Sequence, residues 1–94
     1  MIYRSLGVFE TSSMSSSLSA LAGINKEKNV EILGKQVLGD GIVTLFINGD
    51  LGAIKRAFAF GAEAIALTNE FRNAHVIPLP HMNLISIIGL KRKE

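Results

Sequence analysis

Asn29-Val30-Glu31-Ile32-Leu33-Gly34-Lys35-Gln36-Val37-Leu38-Gly39-Asp40-Gly41-Ile42-Val43-Thr44-Leu45-Phe46-Ile47 is the stretch that decides the fold. Residues 29–38 and 42–47 are apolar runs rich in Val, Ile, Leu and Phe, and both read as strands. Only Gly39-Asp40-Gly41 separates them. Asp-Gly between two apolar runs is a strong hairpin signal, with both central positions expected at positive φ. The centre of the chain is therefore an antiparallel pair.

On the C-terminal side, Asn48-Gly49-Asp50 is expected to break the second strand, and Asp50 is a good helix N-cap. Leu51 to about Glu70 is the clearest helix. Ile54, Ala57, Phe58, Gly61, Ala62 and Ile65 fall on one helical stripe, and the many alanines keep the helix thin enough to pack closely. Ala74 to Ile77 reads as a last short strand, ended by Pro78 and Pro80 because proline supplies no ladder donor. Met82 to Ile88 reads as one or two helical turns.

On the N-terminal side, Thr11 to Asn25 holds six serines, yet Met14, Leu18, Leu21 and Ala22 recur at helical spacing. The reading is an amphipathic helix capped by Ser12 or Ser13, with that stripe inward and small serines outward. Ile2 to Phe9 reads as a strand. The order is β-α-β-β-α-β, an α+β split sandwich. It predicts a mostly antiparallel four-stranded sheet with both helices on one face. The other face is left for water or a neighbour. Residues 1–90 read as a single domain and 91–94 as a basic tail.

Composition narrows the function. Of 94 residues, 48% are hydrophobic and only 19% charged, with mean hydropathy +0.33. A domain this small leaves much of its surface wet, so the excess implies faces buried against other subunits. The net charge of +2 comes from Lys91-Arg92-Lys93-Glu94; residues 1–90 balance seven basic against seven acidic side chains. A neutral body does not favour nucleic acid, and Phe46 alone is thin support for an RNA-binding sheet. No run approaches the ~20 apolar residues of a membrane span. Met1-Ile2-Tyr3-Arg4 does not open a signal peptide, so a cytoplasmic protein is expected.

The chemistry of catalysis is not in evidence. There is no cysteine, and His75 and His81 alone cannot build a zinc site. His75, which precedes the apolar Val76-Ile77, reads as a satisfied structural histidine. Gly39-x-Gly41 is followed by a strand, so it is no dinucleotide fingerprint, and no Gly-x-Ser-x-Gly elbow surrounds any serine. The acids are scattered singly. The expectation is a non-enzyme with no cofactor and no metal.

Five segments in order resemble the single-domain, hexamer-forming shell proteins of bacterial microcompartments. They are Leu6-Gly7-Val8-Phe9-Glu10-Thr11, Asn29-Val30-Glu31-Ile32-Leu33-Gly34-Lys35, Gly39-Asp40-Gly41, Asn48-Gly49-Asp50-Leu51-Gly52-Ala53-Ile54-Lys55 and His75-Val76-Ile77-Pro78-Leu79-Pro80-His81. The last is more like the shells of catabolic compartments than those of carboxysomes. The resemblance implies a homohexamer that tiles with neighbouring hexamers and other shell proteins around encapsulated enzymes. It implies no nucleic acid and no membrane.

By that resemblance Gly39, Asp40 and Gly41 line a pore on the six-fold axis, and Lys26, Pro78, Leu79, Pro80 and His81 lie at the hexamer edge. Six Asp40 carboxylates would ring the axis; at an assumed ~7 Å, neighbours repel by about 0.6 kcal/mol in water and about 2.4 at an effective dielectric of 20. Such a pore attracts cations, repels anions and passes neutral polar molecules. Asp40 is equally a favourable turn residue. Lys26 is equally one more solvated charge in Asn25-Lys26-Glu27-Lys28. The chain departs from the resemblance at Leu79, where many relatives carry an arginine that donates hydrogen bonds across the seam. It also departs at Asn48, at the serine-rich first helix, and at Phe58 and Phe60, one of which is expected at a subunit contact. The competing reading is a small ligand-binding regulatory domain of the same topology, a dimer or trimer with Gly39-Asp40-Gly41 as its binding loop.

Overall fold

The computed structural model describes residues 5–78. β1 (Ser5–Thr11), α1 (Met14–Ile24), β2 (Glu31–Val37), β3 (Val43–Gly49), α2 (Leu51–Ala64) and β4 (Phe71–Pro78) follow in the expected order. The strands form one antiparallel sheet ordered β2-β3-β1-β4. Leu45 pairs with Phe9 and Ile47 with Gly7, so these side chains share one face. There they meet Ala20 and Ile24 of α1, Ile54 and Ala57 of α2, and Ile65, in one buried core. Both helices therefore cover the same face. The expected turns at Met82 to Ile88, and Leu79, Pro80 and His81, lie outside the described residues.

Local chemistry sets the element ends. Ser13 caps α1, its Oγ accepting from the Ser16 N–H at 3.1 Å. Asp50 caps α2, its Oδ1 accepting from the Ala53 N–H at 2.9 Å. β3 is not broken at Asn48-Gly49: these residues pair with Leu6 and Ser5, and Asn48 donates from Nδ2 to Glu31 Oε1 at 2.8 Å. A buried amide that is satisfied this way sits in a strand without penalty. β1 likewise runs on past Phe9 to Thr11. α2 ends at Ala64 rather than near Glu70, because the chain tightens into turns that close through Asn69 at φ 59°. β4 accordingly starts earlier than expected, at Phe71.

The main correction concerns α1. Met14 and Leu18 face solvent, with Leu18 53% exposed, and the inward face is Ser16, Ser17, Ala20, Gly23 and Ile24. The cause is a close crossing with α2. A Cβ on Gly23 would meet the Phe60 carbonyl oxygen at 2.4 Å, and one on Gly61 would meet Ile24 Cγ1 at 2.9 Å. Only a small-residue face approaches this near. Burying the two serines costs little because each satisfies its hydroxyl locally: Ser16 donates to Ser13 O at 3.1 Å and Ser17 to Met14 O at 2.7 Å.

A second correction concerns the sheet's other face. Leu6, Val8 and Phe46 alternate with the helix-facing residues, yet they are 1–7% exposed. The two central strands are thus buried on both faces, and every residue of β3 is buried. His75 is opposite Val8 in mid-strand and is exposed.

Gly23→Ala tests the crossing. Helix propensity alone favours alanine by about 1 kcal/mol. The contact with a backbone carbonyl is expected to outweigh this, for a net loss of about 1–3 kcal/mol in urea denaturation. Gly61→Ala, which meets a movable side chain, is expected to cost less.

Candidate functional site

The β2–β3 connection is built from three residues. The Leu38 N–H donates to Ile42 O at 2.8 Å and the Gly41 N–H donates to Leu38 O at 3.0 Å, leaving Gly39-Asp40-Gly41 as the tip. Gly41 alone takes the left-handed conformation, at φ 88°. This is a tight turn closed by one glycine, not a pair of positive-φ residues. The Ile42 N–H donates to Asp40 Oδ1 at 3.4 Å, a long bond that orients the carboxylate without burying it. A Cβ on Gly39 or on Gly41 would meet nothing within 4 Å. Backbone conformation accounts for Gly41, but nothing in its own chain demands a glycine at 39.

Lys26 sits in the loop after α1, exposed, with its Nζ 5.8 Å from the centroid of the Phe60 ring. That is within cation–π range. Beside it Glu27 accepts from Arg56 Nε at 2.8 Å and from the Asn29 N–H at 3.2 Å. This ties the loop to α2. The Arg56 hydrogen bond holds the Glu27 carboxyl below the usual carboxylate range. Pro78 is exposed at the end of β4, paired with Ser5.

The register separates these features. Val43, next to the tip, pairs with Thr11, whereas Gly49 pairs with Ser5 and so lies beside Pro78. A Cβ on Gly49 would meet Asn29 O at 3.0 Å, which puts the Lys26 loop at that same end. The tip and the Lys26–Pro78 end are thus a strand length apart, roughly 20 Å for seven residues.

The structure resolves the two added phenylalanines. Phe58 packs on Phe9 with ring centroids 5.5 Å apart, while Phe60 lies beneath Lys26. The Phe60–Lys26 and Glu27–Arg56 contacts escaped the sequence reading. They join residues about thirty positions apart with no periodic signal to link them. Among the described residues no group of three or more His, Cys, Asp or Glu is placed to hold a metal. No described helix is long and apolar enough to cross a membrane.

The subunit thus carries an open tip at one end of its strands and a braced, charged loop at the other. The BMC domain model matches residues 5–80, and the chain belongs to the BMC-domain family of microcompartment shell proteins. It is 35% identical to the bacterial microcompartment shell protein PduA of Citrobacter freundii, over 94% of this chain and 95% of that one. The carboxysome shell protein CsoS1 of Prochlorococcus marinus is more distant, at 29% over 89% of this chain and 82% of that one. This agrees with the catabolic character read from residues 75–81. A microcompartment protein from Desulfitobacterium hafniense has the same fold, with TM-score 0.79 at 24% identity. The match covers 92% of this chain but spans about half, 49%, of that longer one.

A depressed carboxyl pKa adds stability above the unfolded glutamate value of about 4.3, and that stability is lost as pH falls through the lower folded value. Glu27→Gln is therefore expected to unfold at lower urea than the parent at pH 7. The two midpoints should converge well below pH 4.

Proposed function

We propose that this chain is a structural tile of a microcompartment shell in the cytoplasm. Six copies form a ring, with Gly39, Asp40 and Gly41 lining the central pore. Lys26, Pro78, Leu79, Pro80 and His81 lie along the outer edge, where neighbouring hexamers and other shell proteins meet. The shell encloses enzymes that handle a volatile or reactive intermediate, and the tile itself does no chemistry and needs no cofactor.

The observation that carries this reading is the separation of the two ends. The Gly39-Asp40-Gly41 tip and the Lys26–Pro78 end lie at opposite ends of the strands, which suits a wedge in a flat ring with its pore segment at one end and its edge segment at the other. Gly39 supplies the second support. A glycine with open space around it in its own chain suits a place where six backbones crowd one axis. The ligand-binding alternative is not favoured, because the relatives are shell proteins.

Selectivity follows from Asp40. Six carboxylates on short loops with no covering side chains make a negative ring at the narrowest point. Cations are drawn in, anions are repelled, and neutral polar molecules pass without a charge barrier.

Native mass spectrometry is expected to give six times the 10.1 kDa chain mass; a monomer, dimer or trimer at micromolar concentration would overturn the reading. Single-channel reversal potentials under a salt gradient then test the pore. Wild type should show cation preference and Asp40→Ser should lose most of it. An unchanged preference in Asp40→Ser excludes Asp40 from the conduction path.

A further inference from the structure

Lys26 and Glu27 are consecutive residues of the loop after α1, and each docks on a different side chain of α2. The Lys26 ammonium stands 5.8 Å from the centroid of the Phe60 ring. Glu27 Oε1 accepts from Arg56 Nε at 2.8 Å, and Glu27 Oε2 accepts from the Asn29 N–H at 3.2 Å. Arg56 and Phe60 are four residues apart in α2, so they are neighbours on one face of the helix. The loop's own turn is closed by the Lys26 and Glu27 N–H groups, which donate to Gly23 O and Ile24 O, each at 3.0 Å. The loop is therefore fixed by its backbone and by two side chains of α2.

The two docking contacts are not interchangeable. A ring face takes a cation, and a guanidinium takes a carboxylate. The change of sign from Lys26 to Glu27 thus sets which residue goes where. With both its oxygens engaged, Glu27 is committed to α2 and to the loop backbone rather than to the ammonium next to it.

A plane tiled edge to edge by one kind of hexamer has a two-fold axis at each shared edge. A residue on that edge therefore approaches its own copy in the next tile. Two Lys26 ammonium groups then converge, and like charges repel. A lysine and a loop that roam freely add lost conformational freedom to that repulsion each time an edge forms. A loop already braced in the subunit meets that cost once, on folding.

We infer that Phe60 and Arg56 are positioning residues for the contact between tiles, holding the Lys26 loop in its edge geometry before a second hexamer of this chain arrives. This rests on the edge placement proposed above.

The test reads the tile concentration at which sheets appear, by light scattering and electron microscopy, while native mass spectrometry reports the hexamer. Each tile in a sheet engages six copies of the loop, so a loss of about twofold per loop compounds to roughly sixty-fold in that concentration. Phe60→Leu keeps apolar bulk but removes the ring face; it is expected to stay hexameric and to show a shift of this order. Phe60→Tyr keeps the ring and should restore the parent threshold. Arg56→Gln, at a side chain 58% exposed, releases Glu27 and is expected to shift the threshold in the same direction; it carries the test if Phe60→Leu does not form hexamers. In dilute hexamers, acylation of Lys26 by an N-hydroxysuccinimide ester, measured against Lys28 by peptide mapping, should quicken in Phe60→Leu and not in Phe60→Tyr. Wild-type hexamers that form no sheets overturn the edge placement itself. Wild-type sheets with Phe60→Leu and Arg56→Gln both unshifted overturn the bracing alone. Unchanged Lys26 acylation in Phe60→Leu, or a Phe60→Tyr as impaired as Phe60→Leu, overturns the role of the ring.

Discussion

The contact on which the rest of the structure depends is the crossing of α1 and α2 at Gly23 and Gly61. There the backbones approach too closely for a Cβ on Gly23. That distance selects the face of α1 that turns inward. Once Ala20, Gly23 and Ile24 are committed to α2, rotation of the helix carries Met14 and Leu18 to the outside. The surface of the subunit is a consequence of how its helices touch. A larger residue at 23 would push the helices apart and disturb both the core and the outward stripe.

The layout of the fold was legible in the sequence because its main signals are local. Asp50 announces the start of α2, and Ile54, Ala57, Gly61 and Ile65 mark its buried stripe without ambiguity. The hairpin was equally plain from a short loop between two apolar runs. The inward face of α1 was not legible, for a physical reason. Hydropathy ranks Met and Leu above Ser, but burial also depends on fit and on hydrogen bonding within the turn. Ser16 and Ser17 bond back to Ser13 and Met14, so they enter the interior with their polarity already answered. A pattern rule that counts apolar residues sees an excess on one face and turns that face inward.

The candidate site shows the same division. Gly39-Asp40-Gly41 stood out as a motif, and the Lys26 loop stood out through resemblance. What the sequence did not carry was their relation in space, which comes from strand register. Nor did it carry the brace around Lys26, where Phe60 and the Glu27–Arg56 pair come from a different helix. The Lys26 ammonium stands 5.8 Å from the centroid of the Phe60 ring, and Arg56 anchors the neighbouring glutamate. The Lys26 loop is thereby held by groups that no local pattern ties to it.

The tip of the β2–β3 hairpin has a further consequence. A Cβ on either of its glycines would meet nothing within 4 Å, and Asp40 accepts a long bond from the backbone two residues on. The turn is closed by backbone hydrogen bonds and by the left-handed Gly41, so the side chain at 40 and a Cβ at 39 have little to pack against in their own chain. Within the subunit, packing therefore constrains the side chains at 39 and 40 little, whereas conformation constrains Gly41. Residues 39 and 40 form a region where descent with modification runs at little cost to folding.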